Sequence, residues 1–206
     1  MNNKKFCKSK GIDKISLVHK VPYFMNNKEK ILKKIFENPT YKFHVRELAR
    51  MTRLNPNTII NITEKLKKQD LILKEKNKNL MEIKANIENI NFIRQKRIFN
   101  IKRLYESKLI DSIIKYYDNP EAIIVFGSYS RGEDIEESDI DLVIITDKKE
   151  TFEKNSFEKK VKRKLHILNF RYGDWSEGFY KNLINGIILH GYLRWNHLNI
   201  ISKKKA

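Results

Sequence analysis

The spacing of apolar residues changes along the chain and predicts helices first and strands later. Residues 28–37 and 44–51 carry apolar side chains at every third or fourth position, which is the period of an amphipathic helix. Residues 55–69 continue this pattern, with Asn55 suited to cap a helix and Pro56 suited to its first turn. We therefore predict three consecutive helices within residues 25–70.

Two short apolar segments, residues 71–73 and 80–83, lie on either side of a polar loop and predict a β-hairpin. Three helices and a hairpin in this order resemble a winged helix-turn-helix domain, which we place at residues 25–85. The resemblance implies that the third helix enters the major groove of duplex DNA while the hairpin, or wing, follows the backbone. The residues expected to contact DNA are Arg53, Asn57, Thr58, Asn61 and Lys65 on or beside the helix, and Lys74, Lys76 and Lys78 in the wing.

The charge of the chain bears on this expectation, because a run of lysines can also be a solvated face of a module that binds only protein. The chain of 206 residues has a formal net charge of +18. Residues 1–85 hold 21 basic and 8 acidic side chains, whereas residues 119–206 hold 15 and 13. A general compositional bias would spread evenly, so this concentration favours a nucleic-acid-binding module fused to a nearly neutral one.

Two further segments flank the predicted DNA-binding module. Residues 1–24 show no convincing period and are expected to form a flexible basic arm. Residues 86–118 have helical spacing and lack Gly and Pro, which predicts a packed linker of one or two helices. The aromatic residues of this linker are expected to make core or homodimer contacts rather than stack on bases; they are Phe92, Phe99, Tyr105, Tyr116 and Tyr117.

Beyond the linker the apolar residues form compact runs. Ala122–Phe126, Ile140–Ile145 and Leu165–Phe170 are predicted strands. The charged residues 148–164 predict a helix between the second and third strands, and residues 175–192 predict a closing helix packed on the sheet. We therefore expect an α+β protein in which residues 119–206 form a small mixed-sheet α/β domain.

The chemistry of the chain is concentrated between the first two of these strands. Gly127-Ser128 turns the chain after the first strand, and free backbone N–H groups at the start of a short helix would form a cradle for phosphate oxygens, with Arg131 adding positive charge. Asp139 and Asp141 are two residues apart at the start of the second strand, so both carboxylates face the same side. Paired carboxylates beside a phosphate cradle suit Mg²⁺. An isolated Asp-x-Asp, in contrast, is more often a pair of solvated residues at a strand start.

The combination of Gly127-Ser128, Arg131-Gly132 and Ser138-Asp139-Ile140-Asp141-Leu142 between two apolar strands resembles the signature of the nucleotidyltransferase superfamily related to DNA polymerase β, and within it the minimal nucleotidyltransferases. The resemblance implies that Gly127 and Ser128 bind the triphosphate of a nucleotide, ATP in the first instance. It implies that Asp139 and Asp141 hold Mg²⁺ or Mn²⁺, and that the enzyme transfers a nucleoside monophosphate to an acceptor. It also implies a helical, toxin-like protein as a possible partner.

The chain departs from this pattern at one position, because the family places a third carboxylate on the next strand and residues 165–170 contain none. His166 or Asn169 stands on that strand instead, and Asp174 follows in the predicted loop. His166 is the first candidate for the missing metal ligand or base, although a lone histidine in an apolar strand is more often structural. The alternative function is therefore a DNA-binding transcriptional regulator whose degenerate domain senses a nucleotide or binds a partner.

The remaining features of the sequence concern compartment. No apolar run approaches the roughly 20 residues of a membrane span, and the lysine-rich start lacks the apolar core of a secretory signal. The single cysteine, Cys7, has no partner for an internal disulfide. These features predict a cytoplasmic protein that does not enter membranes.

Overall fold

The computed structural model describes residues 25–77, 80–171 and 176–193. The segment predicted as a basic arm, Lys78 of the wing and Asp174 lie outside these residues. The described elements, in chain order, are α1 (Asn27–Glu37), β1 (Phe43–His44), α2 (Val45–Thr52), α3 (Pro56–Lys68), β2 (Ile72–Asn77), β3 (Leu80–Ala85), α4 (Ile90–Glu106), α5 (Leu109–Tyr116), β4 (Ala122–Phe126), α6 (Gly127–Arg131), β5 (Ile140–Ile145), α7 (Asn155–Val161), β6 (Leu165–Phe170), α8 (Glu177–Ile184) and β7 (Ile187–Gly191).

Local sequence explains why the first helices begin where they do. The Asn26 side chain accepts a hydrogen bond from the Glu29 backbone N–H, and the Glu29 carboxylate accepts one from the Asn26 N–H, which is a reciprocal capping box at the start of α1. The Asn55 side chain accepts a 2.8 Å hydrogen bond from the Asn57 N–H at the start of α3, and Pro56 occupies the first turn. The three predicted helices are confirmed.

Residues 25–85, hereafter the N-terminal unit, form one packed body. The predicted hairpin is present as β2 and β3, and β1 adds a third antiparallel strand in the order β1-β3-β2. The helices enclose a hydrophobic core with this sheet, in which Ile31, Leu48, Ile59 and Ile83 are fully buried. The element order around this core is therefore three helices interleaved with a small antiparallel sheet.

The segment predicted as a linker consists of two helices that serve different cores. Helix α4 contributes Phe92 to the core of the N-terminal unit and Leu104 to a second core. The chain then turns at Lys108, which has a left-handed φ of 66°, and α5 buries Leu109 and Ile113 in the second core. Helix α4 thus joins two bodies, whereas α5 packs entirely on the second. No helix in the described ranges is both long and apolar enough to cross a membrane.

Residues 107–193, hereafter the C-terminal unit, are built on a four-stranded mixed sheet in the order β6-β5-β4-β7. Only β5 and β6 run parallel within it. Ile140 and Leu142 face one side of the sheet and pack with α4 and α5, while Val143 and Ile145 face the other side with Leu183 of α8. The α+β class predicted from the sequence agrees with these elements.

The end of the chain corrects one prediction. Residues 175–192 were expected to form a single helix, but α8 ends at Ile184 and residues 187–191 form β7, which pairs with β4. At Gly186 between them a Cβ would lie 2.6 Å from Ile124 Cγ2, so only glycine lets the chain pass this close to the sheet. The apolar residues at positions 183, 187 and 188 fit a helix and an edge strand equally well. Residues 187–191 form a strand because they pair with β4.

Candidate active site

Strand register brings three of the predicted site residues into one row across the sheet. Asp141 on β5 lies opposite Phe126 at the end of β4, and on its other side it lies opposite His166 on β6. Gly127 follows Phe126 directly, where β4 ends and α6 begins. The glycine turn, one aspartate of the pair and the histidine are therefore neighbours, although 39 positions separate the first from the last in the sequence.

Gly127 allows the turn to approach the carboxylate. Its φ of +72° is a left-handed conformation that side chains disfavour, and a Cβ at this position would lie 2.6 Å from Asp141 Oδ2. A side chain here would displace the carboxylate or the turn. Ser128, which follows, is half-buried, and its carbonyl accepts a 3.0 Å hydrogen bond from the Glu133 N–H. The Gly-Ser turn is thereby fixed beside Asp141.

His166 is a surface residue of the site and not part of the hydrophobic core. Its side chain is 57% exposed, and its Nδ1 lies 3.1 Å from Asp141 Oδ1, within hydrogen-bonding distance. With the proton on Nδ1, the imidazole donates to Asp141 and leaves the lone pair of Nε2 facing away from the carboxylate. The structural alternative for His166, a core residue in an apolar strand, does not describe this position.

The two aspartates differ in their surroundings. Asp139 is exposed and directly precedes β5, whereas the Asp141 side chain is 28% exposed and contacts His166. Within the described ranges no group of three or more His, Cys, Asp or Glu side chains is close enough to hold a metal ion. The Asp141 carboxylate beside the Gly127 turn still suits one ligand of a divalent cation, because Mg²⁺ takes much of its coordination from phosphate oxygens and water.

Arg131 and Asn169 both have side-chain partners in the structure. The Arg131 guanidinium is exposed and pairs with Glu133, with Nε 2.6 Å from Oε2, so part of its charge is neutralised. Asn169 lies three residues beyond His166 on β6, and its amide donates to the Tyr117 hydroxyl at 2.8 Å and the Glu150 carbonyl at 3.1 Å. The Asn169 amide therefore ties β6 to Tyr117, directly after α5, and to the loop at Glu150.

A buried polar network that the sequence did not predict supports residues 133–139, hereafter the acidic loop. Lys96 Nζ lies 2.8 Å from Asp134 Oδ1, and both side chains are almost completely buried. The Asn100 amide donates to the same carboxylate oxygen at 2.7 Å and to the Tyr129 carbonyl at 2.9 Å. Burial lowers the pKa of Lys96 below its ordinary value, and the charge of Asp134 opposes that shift. The network fastens the acidic loop to α4.

The N-terminal unit also holds the acidic loop. The Thr40 N–H and hydroxyl donate to the two carboxylate oxygens of Glu136 at 3.1 and 2.8 Å. The Arg163 guanidinium donates to the Glu37 carbonyl at 2.9 Å, and Glu37 also pairs with Arg103 at 3.5 Å. The segment that leads into Asp139 therefore lies between the two units and contacts both.

The residues predicted to contact DNA are mostly exposed on the N-terminal unit. Asn57, Asn61 and Lys65 are exposed along α3 at four-residue intervals, which places them in one stripe. Thr58 beside them is half-buried, and Arg53 is exposed just after α2. Sequence reasoning did not single out two further cations on α2, Arg46 and Arg50, although their four-residue spacing is a helical-face signal.

The wing lysines divide into three cases. Lys76 is exposed on β2. Lys74 pairs with Glu64 of α3, and its side chain is only 5% exposed, so it fastens the wing to the helix instead of projecting as a free cation. This contact lowers the pKa of Glu64 through the hydrogen bond and charge of Lys74. Lys78 lies outside the described residues.

One comparison with known proteins bears on this site. Residues 107–191 match the family model described as Polymerase beta, Nucleotidyltransferase. The matched segment runs from the start of α5 to the end of β7 and contains the Gly-Ser turn, both aspartates and His166. No curated protein matches the chain. The match supports a nucleotidyltransferase domain in the C-terminal unit and covers none of the N-terminal unit.

Proposed function

We propose that this protein is a nucleotidyltransferase that moves a nucleoside monophosphate from a nucleoside triphosphate to an acceptor, and that its N-terminal unit binds DNA. The observation that carries the proposal is the row formed by Gly127, Asp141 and His166 inside the segment that matches the nucleotidyltransferase family model. Binding of a metal–triphosphate complex needs a phosphate-binding turn close to a carboxylate, and Gly127 lies beside Asp141.

Asp139 and Asp141 are the residues that would hold a divalent cation, Mg²⁺ or Mn²⁺. When bound, the cation supplies positive charge that neutralises the triphosphate and stabilises the negative charge that develops during transfer. Gly127 and Ser128 bind phosphate oxygens through the backbone of the turn, where the absence of a Cβ keeps the approach open. ATP is the nucleotide that we propose for the first tests.

His166 is proposed to take the place of the third carboxylate as the base. The hydrogen bond between its Nδ1 and Asp141 holds the imidazole in one orientation and leaves Nε2 to accept the proton of the attacking acceptor hydroxyl. General bases of this kind contribute roughly 10²–10⁴-fold to a rate. Asp141 thus has two roles, metal ligand and positioning group for the histidine.

The test is pyrophosphate release from ATP with Mg²⁺ or Mn²⁺, measured for the wild type, His166→Ala and His166→Gln. Loss of transfer in both variants with ATP binding retained supports His166 as the base. Equal transfer rates in all three proteins would remove His166 from the mechanism. Because His166 is exposed at the sheet end, both variants should keep the fold, which the unfolding midpoint checks.

The DNA-binding part of the proposal is that residues 25–85 act as a winged helix-turn-helix. The element order α1-β1-α2-α3-β2-β3, the stripe Asn57, Asn61 and Lys65 on α3, and the exposed Lys76 on the wing support it. Binding of duplex oligonucleotides by fluorescence anisotropy, with and without added salt, tests it. Absence of duplex binding at low salt contradicts it.

A second candidate function is a DNA-binding regulator in which the C-terminal unit binds a nucleotide without turning it over. The absence of a carboxylate on β6, residues 165–170, favours it. Both functions include binding of DNA and binding of ATP. Only the rate at which ATP is turned over distinguishes the transferase from the regulator. Pyrophosphate release by the wild type that is no faster than in a reaction without the protein, together with Mg²⁺-dependent ATP binding, selects the regulator.

A further inference from the structure

A groove with apolar walls lies between α1 and α4. Its volume of about 340 Å³ is within the size range of small-molecule sites. Leu32 and Phe36 are buried there, whereas Ile98 is 68% exposed. A patch of exposed apolar side chains rimmed by polar ones is typical of a binding surface. The apolar side chains of this cavity, hereafter the apolar groove, are Met25, Leu32, Phe36, Ile98 and Phe99.

A second cavity, of about 330 Å³, adjoins the apolar groove where α1, α4 and α7 meet. Lys33, Arg103 and Glu106 line both cavities, so the two are continuous. Among the residues that the structure describes, five cations and two carboxylates line the second cavity. The cations of this cavity, hereafter the basic pocket, are Lys33, Lys34, Arg103, Lys160 and Lys162.

Both carboxylates of the basic pocket already have partners. The Glu37 side chain is almost completely buried and lies between two cations, with Lys34 at 3.9 Å and Arg103 at 3.5 Å. Glu106 pairs with Lys102, one turn before it on α4, at 3.6 Å. Neither carboxylate therefore neutralises the other three cations of the pocket.

These three cations are Lys33, Lys160 and Lys162, and none of them forms an ion pair with a residue in the described ranges. Lys160 lies 4.9 Å from the centroid of the Phe157 ring, a contact that leaves its charge in place. The dipole of α7 favours cations at its end, but Lys33 lies in the interior of α1, where the dipole gives no such reason. Unpaired cations from two helices give the pocket a positive potential, which favours an anion.

We propose that the apolar groove and the basic pocket form one binding site for an organic phosphate with an apolar or aromatic body. The site is separate from the candidate active site, because none of Gly127, Asp141 and His166 lines either cavity. It is built from α1 of the N-terminal unit, from α4, and from α7 of the C-terminal unit. A bound ligand would therefore contact both units and stabilise the arrangement that binds it.

Arg103 connects the two halves of this site. Its guanidinium carbon lies 6.0 Å from the centroid of the Phe99 ring, and its Nη1 lies 3.5 Å from the Glu37 carboxylate. A phosphate monoester carries about 1.5–2 negative charges at neutral pH, which suits several converging cations better than a single carboxylate does. Arginine and lysine both bind phosphate oxygens, while the apolar groove offers contact area for the body of the ligand.

The segment that precedes Met25 is a less suitable occupant. Residues 1–24 contain six lysines and one aspartate, so their net charge has the same sign as that of the basic pocket. Like charges in one site repel each other. An anion is therefore the complementary occupant.

The test uses 1-naphthyl phosphate as the probe and the full chain as the protein, with isothermal calorimetry at one ionic strength. The comparison ligands are 1-naphthol, which is the body alone, and inorganic phosphate, which is the head alone. The probe should bind at least about tenfold more tightly than either, because linked groups that fit one site bind together. 1-Naphthalenesulfonate, with a single charge, should bind more weakly than the probe. Equal affinity for 1-naphthol or for the sulfonate, or no binding of the probe, would overturn the proposal.

A pair of charge variants with the same net charge tests the basic pocket. Lys160→Gln with Lys162→Gln removes two exposed cations of the pocket, and Lys115→Gln with Lys149→Gln removes two exposed lysines outside it. The pocket variant should bind the probe at least about fivefold more weakly, while the control stays within about twofold, since distant exposed charges are screened. The unfolding midpoint verifies that each variant folds. Equal weakening in both variants, or unchanged affinity in the pocket variant, would contradict the proposal.

A second pair of variants tests the apolar groove. Ile98→Ser should weaken binding of the probe at least about threefold through lost apolar contact, whereas Ile90→Ser, at an exposed position of the same helix outside the groove, should not. Equal affinities of the two variants would remove the groove from the site. A wild-type dimer in sedimentation velocity that Ile98→Ser dissociates would assign the groove to a second copy of the chain and overturn the proposal.

The active-site aspartates separate this site from the nucleotide site. Asp139→Asn with Asp141→Asn should bind 1-naphthyl phosphate as the wild type does, because neither residue lines the apolar groove or the basic pocket. This result holds whether or not the protein transfers nucleotides. Loss of probe binding in the double variant would place the probe at the candidate active site and overturn the proposal.

Discussion

The two units of this protein place their charged residues in opposite ways. The N-terminal unit carries its excess of cations on exposed surfaces, such as Lys65 and Lys76, while the C-terminal unit is nearly neutral and gathers carboxylates at one end of a sheet. Exposed cations spread over a surface suit a polyanion with regularly spaced charges. Carboxylates gathered at one end of a sheet suit a small ligand that is bound through specific atoms. Binding by distributed surface charge and binding by precise local geometry thus occur in different units of the protein. The acidic loop contacts both units.

The greatest loss of stability is expected when the buried ion pair between α4 and the acidic loop is broken. Asp134→Ala leaves the buried ammonium of Lys96 without its carboxylate, and removing one partner of a buried ion pair costs about 3–5 kcal/mol in the free energy of unfolding. Urea denaturation measures this change. Asp147→Asn, which breaks the exposed pair with Arg171, is the control and should cost less than about 1 kcal/mol.

If Asp134→Ala costs no more than this control, the buried network does not stabilise the attachment of the acidic loop to α4. The double variant Lys96→Met with Asp134→Leu sharpens the result, because replacing both partners removes the uncompensated charge. It should recover most of the stability of the wild type, since apolar replacements of buried pairs are often neutral.

The next prediction concerns the close approach of Gly127 to the Asp141 carboxylate in the C-terminal unit. Gly127→Ala places a methyl group 2.6 Å from Asp141 Oδ2 in a left-handed conformation, so we expect a destabilisation of about 1–3 kcal/mol and weaker ATP binding. Gly178→Ala is the matched control, because a Cβ there meets no atom within 4 Å, and it should be neutral or stabilising by about 0.5–1 kcal/mol. Thermal unfolding and calorimetry give both quantities. Similar behaviour of the two variants would show that close approach at Gly127 is unimportant.

A smaller effect is expected for single lysines of the N-terminal unit, if each one contributes independently to DNA binding. Lys76→Gln should lower the salt slope of duplex binding by about 0.9, the value for one phosphate, and should weaken binding equally on different sequences. Asn61→Ala on α3 should instead change sequence preference. Lys74→Gln should act mainly on stability, because Lys74 pairs with Glu64. A salt slope for Lys76→Gln identical to that of the wild type would show that the wing does not touch phosphate.

The smallest expected effect is a pH dependence of the free energy of unfolding that arises from Lys96. Burial lowers the pKa of Lys96 in the folded protein below its ordinary value of 10.5, so the unfolded chain binds more protons between the two values. The contribution of this group to stability therefore rises with pH through that window and is lost as pH falls through the folded pKa. Lys96→Met should lack this rise when its stability is compared with the wild type at alkaline pH. Parallel pH profiles of the two proteins would contradict the assignment.

The elements that were predicted correctly carry their own local signals. Capping residues Asn26 and Asn55 and the apolar period define the first helices, and short apolar runs define β4, β5 and β6. The Gly127–Asp141 neighbourhood also follows from sequence, because two strands joined by a tight turn and a loop bring these positions together. Local signals failed where pairing with a distant strand decides, as in β7.

The buried network was missed because its members look like ordinary surface residues. Lys96 lies on a charged helix and Asp134 in an acidic loop, 38 positions apart. A signal was nevertheless present: Phe92, Lys96, Asn100 and Leu104 share one four-residue stripe of α4, and the first and last are apolar. Polar residues between apolar ones on a single helical stripe indicate buried partners, although they do not identify them.

Calorimetric titration of ATP into the protein with Mg²⁺, and again with EDTA, tests whether Asp139 and Asp141 form a metal–nucleotide site. The wild type should bind ATP only when the metal is present, and Asp139→Asn with Asp141→Asn should weaken that affinity at least about tenfold, because both carboxylates hold the cation. Asp147→Asn, an exposed aspartate outside the site, should bind as the wild type does. Unchanged Mg²⁺-dependent binding in the double variant, or none in the wild type, would contradict the nucleotidyltransferase site.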